Sequence, residues 1–145
     1  MRLLAGEAFG LRAAVKTHSP LFYAHITLAP GARIALPREH SERAVFLVSG
    51  AVEVDGSPIA AAQMAVFDKA AEAVVLATQS SVLMLLGGAP VGKRFIEWNF
   101  VSSSRERISQ AKSDWRAGRM KLPDLDNAEF IPLPTNPLPR AGAMS

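Results

Sequence analysis

The sequence of 145 residues contains no cysteine, and this absence excludes several kinds of chemistry. Without thiols the chain can form no disulfide framework, no thiolate metal site and no cysteine nucleophile. This composition fits a reducing cytoplasm, where we expect the protein to act. The sequence also lacks an apolar run approaching the roughly 18 residues of a membrane helix, and the apolar run in its start, MRLLAGEAFG, is too short for a signal peptide. We therefore expect a soluble protein with no membrane partner.

The sequence also has little excess of one sign of charge, since its formal net charge is only +3. The exception is the stretch from residue 91 to 121, which holds eight Lys and Arg residues against three Asp and Glu. A basic stretch can attract nucleic acid. No nucleic-acid-binding motif accompanies it, so we interpret it as a solvated helix face and expect no nucleic-acid partner.

Helical periodicity is nearly absent before residue 100, whereas short alternating runs are frequent. The run LFYAHITL places Phe22, Ala24, Ile26 and Leu28 on one face and Tyr23, His25 and Thr27 on the other. Further short runs follow at regular intervals, and Asp55-Gly56 is a type I′ hairpin signal between two of them. The pattern predicts an all-β fold, a single antiparallel β-barrel or jelly roll over about residues 10–100.

A helix is predicted after the barrel, over about residues 103–118. Ser103 and Glu106 have the spacing of a capping box at its start. Ile108, Ala111 and Trp115 lie three and four residues apart and predict one apolar stripe. Gly118 is a plausible stop.

Prolines dominate the end of the chain, at positions 132, 134, 137 and 139. Proline lacks an N–H group and fixes φ, so this segment is predicted to be extended rather than part of a sheet. We expect one domain over residues 1–134 and a flexible tail over residues 135–145.

The segment GARIALPREHSERAVFLVSG has a polar centre between two strand-like runs and is bounded by Gly31 and Gly50. In this arrangement it resembles the first motif of the cupin superfamily, in which two histidines and a glutamate on neighbouring strands bind a metal. The resemblance places those three ligand positions at Pro37, Glu39 and Arg43. The second motif would supply a histidine between residues 63 and 85, and that region has none.

Other residues offer only a weak metal site. His40 and Glu42 are two apart and could face the same way, with His25 as a second imidazole if its strand faced inward. Fe, Mn, Ni or Zn would be expected only with such a set, and otherwise we expect no metal, cofactor or catalytic residue.

The alternative to a metal site is a polar barrel mouth. We expect this pocket to be formed by Glu39, His40, Arg43 and Gln63, and it could hold an anion or a polar metabolite. Because a buried unpaired arginine is costly, we also predict a Glu39–Arg43 ion pair in the space that a metal would occupy.

The C-terminal third narrows the resemblance. The stretch LLGGAPVGKRFIEWNFVSSSRERISQAKSDWRAG, followed by EFIPLP, resembles the end of pirin-like proteins. The stretches GEAFG, LAPGA and ERAVFLVSGAVEVDG are similar to the C-terminal cupin of the same family, so the resemblance runs from about Leu4 to Pro134. Ala89 departs from the glutamate that is usual there.

The resemblance implies a tandem of two cupins in the family, with the metal ligands in the N-terminal one. This chain resembles the C-terminal one. Some pirins are described as quercetin dioxygenases and others as regulators that bind proteins. We therefore expect a non-catalytic cupin with a degenerate metal site, acting as a binding, regulatory or structural module. The alternatives are a metal-dependent dioxygenase of the quercetin dioxygenase type and a small-molecule binder.

The resemblance also bears on assembly. A lone half would expose the surface that rests against its companion in a tandem pirin, and exposed apolar patches mark association sites. We therefore predict a homodimer. The alternative partners to a second copy are another protein and a separately encoded cupin.

Overall fold

The computed structural model describes residues 1–69 and 71–135. It divides into two compact units, Met1–Pro90 and Val91–Ser145. Apart from Thr135, the tail predicted over residues 135–145 lies outside the described residues. A single domain over residues 1–134 stays a prediction.

The first unit consists of ten antiparallel strands in two sheets. One sheet has six strands, in the order β2-β1-β3-β10-β5-β8, and the other has four, in the order β4-β9-β6-β7. The strands are β1 (Arg2–Ala8), β2 (Leu11–Arg12), β3 (Leu21–Leu28), β4 (Arg33–Ala35), β5 (Glu42–Ser49), β6 (Val52–Val54), β7 (Ser57–Ile59), β8 (Met64–Phe67), β9 (Val74–Ala77) and β10 (Ser81–Gly88). The predicted fold of antiparallel β-strands is confirmed.

Alternation of side chains explains how the sheets pack. On β3 the residues at positions 22, 24, 26 and 28 are buried and the intervening ones are not, as the sequence predicted. Leu47 on β5 and Leu83 and Leu85 on β10 are fully buried in the same core. Val52 and Val75 belong to that core from the four-stranded sheet. One face of each sheet therefore builds the hydrophobic core.

The hairpin between β6 and β7 also follows the sequence. Asp55 has φ +49° and Gly56 has φ +76°, so both central residues are left-handed. This is the conformation that a type I′ turn requires. The turn sets the register in which Val54 pairs with Ser57.

The second unit contains a hairpin and a helix. The strands are β11 (Phe95–Glu97) and β12 (Phe100–Ser102), and the helix α1 spans Arg105–Arg116. Trp98 contacts Trp115 and Phe100 at 5.5 Å and 5.4 Å between ring centroids. Trp115 also donates through Nε1 to the carbonyl of Ile131 at 3.0 Å. Both tryptophans therefore contribute to packing in this unit.

The start of α1 differs from the prediction by one residue. The N-cap is Ser104, whose Oγ accepts from the N–H of Arg107 at 3.3 Å. The Ser103–Glu106 capping box is wrong, because Glu106 lies two residues after the cap and accepts from the Ser104 hydroxyl at 2.6 Å. Three consecutive serines offer three caps, and spacing alone did not choose among them.

The end of α1 agrees with the prediction. Gly118 has φ +65°, and its N–H donates to the carbonyl of Trp115 at 3.1 Å. The N–H of Arg119 donates to the carbonyl of Asp114 at 2.9 Å. Together these bonds form a Schellman motif, which favours glycine at this position. Within the described residues, no helix has the length and apolar character needed to cross a membrane.

Candidate functional site

The segment bounded by Gly31 and Gly50 forms β4, a connection over residues 36–41 and β5. Both glycines are left-handed, with φ +79° and +91°. A Cβ at Gly50 would lie 2.4 Å from the carbonyl oxygen of Ser80, closer than a side chain can approach. Backbone geometry therefore requires glycine at position 50.

The three positions where the cupin resemblance places metal ligands have different environments. Pro37 is buried, Glu39 is exposed and Arg43 is 2% exposed. Proline offers no side-chain ligand atom, and a guanidinium stays protonated and only donates hydrogen bonds. Of these three side chains, only that of Glu39 has atoms that can bind a metal, the oxygens of its carboxylate.

Arg43 is held by backbone carbonyls. Its Nη2 donates to the carbonyl oxygens of Asp68 and Ala71, both at 2.8 Å, and to that of Lys69 at 3.3 Å. Its Nε is buried and has no hydrogen-bond partner among the described residues. The side chain thus ties the start of β5 to the connection between β8 and β9, and carbonyl dipoles partly compensate the buried charge.

The predicted Glu39–Arg43 ion pair is wrong. Arg43 forms no ion pair within the described part of the chain, and its Nη2 is engaged by carbonyls. Glu39 is exposed, so its carboxylate stays hydrated. The prediction assumed that a buried arginine needs a carboxylate, whereas a loop folded around the guanidinium supplies acceptors without burying a second charge.

His40 is half-buried and contacts the strands β1 and β3 of the first unit. Its Nε2 donates to the carbonyl of Glu7 at 3.2 Å, because a carbonyl oxygen can only accept. The imidazole also packs on Phe22, with 5.1 Å between ring centroids. This leaves only Nδ1 as a lone-pair donor.

The structure does not bring the three weak metal candidates together. Glu42 is exposed at the start of β5, opposite Gly88. His25 pairs with Met84 on the opposite side of the sheet from the buried β3 residues, as its alternation predicted. Over residues 1–69 and 71–135, no three His, Asp or Glu side chains are grouped closely enough to hold a metal ion.

An open cavity of about 1480 Å³ lies in the first unit. The segment over residues 6–21 forms much of its wall, and residues 38–41, Lys69 and Ala89 complete it. Glu39 and His40 both line this cavity, as the predicted pocket requires. Arg43 is buried and does not line it.

Gln63 lies elsewhere. Its backbone carbonyl accepts from the N–H of Leu47 at 3.0 Å, and its side-chain oxygen accepts from the N–H of Ala60 at 2.9 Å. Leu47 and Arg43 are at opposite ends of β5. The structure therefore brings together only Glu39 and His40 of the four pocket residues, and Gln63 serves to close a turn.

The charges around the cavity are mainly positive. Its lining includes the cations Arg12, Lys16, Arg38 and Lys69 and the acids Glu7 and Glu39. Arg12 pairs with Glu7 at 3.0 Å, and Arg38 pairs with Glu72. Within the described residues, Lys16 and Lys69 form no ion pair. The cavity can therefore attract an anion by charge.

The family is identified by a match to a domain-family model. A family model described as the pirin C-terminal cupin domain matches residues 23–121, from β3 through the helix α1. This chain belongs to the pirin family.

Two kinds of comparison place this pirin chain among its relatives. A pirin-like protein of Caulobacter vibrioides is 62% identical over 133 residues, which cover 92% of this chain and 46% of the relative. A crystal structure named as quercetin 2,3-dioxygenase from Acinetobacter baumannii matches with a TM-score of 0.76 at 23% identity, over 97% of this chain and 48% of that one. A second structure of that name gives a TM-score of 0.74 at 24% identity, over 81% and 42%.

At 23% and 24% sequence identity, the structural similarity to these two proteins establishes only that the folds are alike. The pirin chain spans less than half the length of these relatives. Activities of the full-length proteins therefore do not follow for this chain from likeness, and the residues at its own candidate site have to carry the functional argument.

Sequence reasoning missed the part of the pirin chain that forms most of the cavity wall. Lys16, His18 and Lys69 line the cavity, yet no motif pointed to them. The strand β1 before this segment was also missed, because a register shift between Leu3 and Ala5 breaks its alternation. The available signal was the short basic and polar stretch KTHS over residues 16–19.

Proposed function

We propose that this pirin chain is a non-catalytic module with a degenerate metal site, acting in the cytoplasm by binding rather than by turnover. The observation that carries the proposal is the environment of Arg43. A guanidinium bound to three carbonyls occupies the position where the cupin resemblance places a ligand carboxylate. A fixed cation there repels a metal ion, and positions 37 and 39 offer no imidazole.

The same proposal includes the homodimer. Its support is the set of large apolar side chains that the first unit leaves exposed, among them Tyr23, Met64 and Val66, because exposed apolar patches mark association sites. Homodimers of this kind have closed two-fold symmetry, in which both copies use the same surface.

The test of the degenerate site is metal content. Untagged protein is incubated with Fe(II), Mn(II), Ni(II) or Zn(II), desalted and analysed by mass spectrometry for metal per chain. We expect well below one metal per chain in every case. Stoichiometric metal would overturn the proposal and favour the alternative, a metal-dependent dioxygenase of the quercetin dioxygenase type.

A gain-of-ligand variant provides the positive control. The triple change Pro37→His, Glu39→His and Arg43→Glu restores the ligand types of the cupin motif at those positions. We expect it to retain more metal than the wild type if it folds. His40→Ala serves as the matched loss variant, and we expect its metal content to equal that of the wild type.

The cationic cavity supports a second candidate, the binding of an anion or a polar metabolite. Lys16 and Lys69 line a space of about 1480 Å³ beside Glu39 and His40. Calorimetric titration with inorganic phosphate and with a dicarboxylate tests this candidate. Binding that weakens in Lys16→Ala and Lys69→Ala, but not in Lys121→Ala of the second unit, would support it.

A further inference from the structure

The open cavity of the first unit has two aromatic rings in its wall. Phe9 and His40 both line the cavity. Both rings pack on the ring of Phe22, with 6.3 Å and 5.1 Å between centroids. Phe22 is 1% exposed, so it supports the two rings from the hydrophobic core. The hydrogen bond from His40 to the carbonyl of Glu7 fixes the imidazole further. The cavity therefore presents aromatic rings whose positions are set before any ligand arrives.

The backbone of Phe9 is strained at this wall. Phe9 has φ +56° and Gly10 has φ +71°, and the two residues form the turn between β1 and β2. Glycine adopts this left-handed conformation freely, whereas a bulky side chain is disfavoured there. Backbone strain of this kind is concentrated at binding and catalytic sites. The ring of Phe9 is thus held beside the cavity at a cost in backbone conformation.

Large aliphatic side chains are exposed inside the same cavity. Leu11 is 48% exposed and Val15 is 60% exposed, and both line the cavity. Apolar side chains exposed in a concave site are typical of ligand-binding grooves. A ligand that contacts them needs an apolar body, which inorganic phosphate lacks.

Cations lie on two separate segments of the cavity wall. Lys16 belongs to the segment between β2 and β3, and Lys69 belongs to the connection between β8 and β9. The Arg43 guanidinium donates to the carbonyl of Lys69 at 3.3 Å. The buried arginine therefore fixes the backbone that carries one of the two lysines.

The balance of charge sets the charge of the ligand. Two ion pairs engage both arginines of the lining and one of its acids, Glu7. Over the described residues, this leaves two lysines against the carboxylate of Glu39, with the histidines of the lining taken as neutral. The excess of one cation is complemented by a single negative charge on the ligand.

We propose that this cavity binds a monocarboxylate whose body is an aromatic ring system, an inference that rests on the second candidate of the proposed function. Phe9 and His40 contact the rings of the ligand, and Lys16 and Lys69 bind its carboxylate. The volume of about 1480 Å³ exceeds the roughly 300–1,000 Å³ of most small-molecule sites, so a bicyclic ligand fits without rearrangement.

Calorimetric titration of the full chain with three matched probes tests the proposal. 2-Naphthoate has the rings and the charge, 2-naphthamide lacks the charge, and decahydronaphthalene-2-carboxylate lacks the aromatic rings. We expect 2-naphthoate to bind about 10-fold more tightly than the amide, because the lysines bind its carboxylate. The expected preference over the saturated acid is about 5-fold, since contacts between aromatic rings add to the burial of apolar area.

Lysine variants assign the binding to the cavity. Lys16→Gln and Lys69→Gln keep long polar side chains and remove the charge. We expect each to weaken the binding of 2-naphthoate by about 3-fold and the double variant by about 10-fold, with 2-naphthamide unaffected. Lys121→Gln of the second unit is the matched control and should bind 2-naphthoate like the wild type. Unchanged binding in the double variant would overturn the cavity as the site.

A ring variant tests the aromatic wall. Phe9→Leu keeps an apolar side chain, so we expect the preference for 2-naphthoate over the saturated acid to fall from about 5-fold towards about 2-fold. His40→Leu should act in the same direction, and it replaces Phe9→Leu if circular dichroism shows that the latter does not fold. A preference retained in the folded variants would contradict a role for these rings.

Failure of this inference can be told apart from failure of the anion-binding candidate. Equal binding of 2-naphthoate and the saturated acid would overturn the aromatic ligand and leave anion binding standing. Binding of phosphate or of a dicarboxylate without binding of 2-naphthoate would do the same. If none of these anions binds, both the inference and the candidate are wrong.

Discussion

Arg43 and Ala71 are joined by a hydrogen bond of 2.8 Å between a buried guanidinium and a backbone carbonyl. The same nitrogen also binds the carbonyls of Asp68 and Lys69. One side chain on β5 thereby satisfies three acceptors in the connection that follows β8. The guanidinium thereby joins the start of β5 to the connection between β8 and β9.

The first prediction concerns this arginine. Arg43→Met keeps most of the side-chain volume but leaves the carbonyls without a donor. We expect the free energy of unfolding to fall by about 2–4 kcal/mol, because buried acceptors lose their partners. Urea unfolding followed by circular dichroism measures the change.

Arg33→Met is the matched control, since Arg33 is exposed on β4. Its effect should stay within about 0.5 kcal/mol, as is usual for exposed positions. Equal stability of the two variants would show that the carbonyl contacts of Arg43 contribute nothing.

The second prediction concerns Gly50. Gly50→Ala would bring a Cβ within 2.4 Å of the Ser80 carbonyl oxygen and of the Ser81 hydroxyl, at φ +91°. We expect a loss of more than about 3 kcal/mol, because left-handed strain adds to a backbone clash. Thermal unfolding of the purified variant measures it.

Gly10→Ala separates the two causes. Gly10 has φ +71° and no atom within 4 Å of an added Cβ, so only the strain applies. We expect a loss of about 1 kcal/mol there. A similar loss at both glycines would rule out the clash as the dominant cost.

The extent of the agreement between sequence and structure has physical reasons. Strands with strict alternation, such as β3, were predicted to the residue, because burial on one face imposes a period of two. The Asp55-Gly56 turn was predicted because few sequences tolerate two left-handed residues. The position of the helix N-cap was missed by one residue, because any of three adjacent serines can cap a helix.

The candidate site could be predicted only in part. The cupin resemblance, aligned on Gly31 and Gly50, placed Glu39 and Arg43 in the interior, and the structure shows Arg43 buried and Glu39 exposed. The partners of Arg43 are backbone carbonyls, which carry no sequence signal, so the choice of Glu39 was wrong. The cavity wall over residues 6–21 was missed for a similar reason, since loop packing follows no period.

The third prediction tests the position of the cap. Ser104→Ala removes the oxygen that accepts from the Arg107 N–H. We expect the free energy of unfolding of the helix to fall by about 1 kcal/mol, the usual cost of losing a serine cap. Amide hydrogen exchange in the first turn of α1 measures the loss locally.

Ser103→Ala is the control, because Ser103 is exposed and precedes the cap. Exchange rates in its first turn should match those of the wild type. The reverse order of effects would restore the capping box that the sequence suggested.

The fourth prediction concerns the pH dependence of α1. A hydrogen bond from the Ser104 hydroxyl, with a smaller contribution from a backbone N–H, lowers the pKa of Glu106 from its ordinary value of 4.5. Hydrogen bonds from Arg119 and then Gln110 lower the pKa of Asp114 from 3.8. Both carboxylates are therefore better stabilised as anions in the folded helix than in the unfolded chain.

The sign of the effect follows from linkage. When the pKa of a group is lower in the folded protein, the unfolded chain binds more protons as the pH falls. The stabilisation is therefore complete above the ordinary pKa, and it is lost as the pH falls through the folded pKa. We expect α1 to lose protection from amide exchange as the pH drops below these ordinary values. NMR titration should give folded pKa values for Glu106 and Asp114 below 4.5 and 3.8.

Two variants assign the effect to named contacts. Arg119→Met removes the first partner of Asp114, so the Asp114 pKa should rise towards 3.8 while that of Glu106 stays low. Ser104→Ala removes the first partner of Glu106, so the Glu106 pKa should rise towards 4.5 while that of Asp114 stays low. Both pKa values moving together in either variant would contradict separate local contacts, since Glu106 is near the start of α1 and Asp114 is near its end.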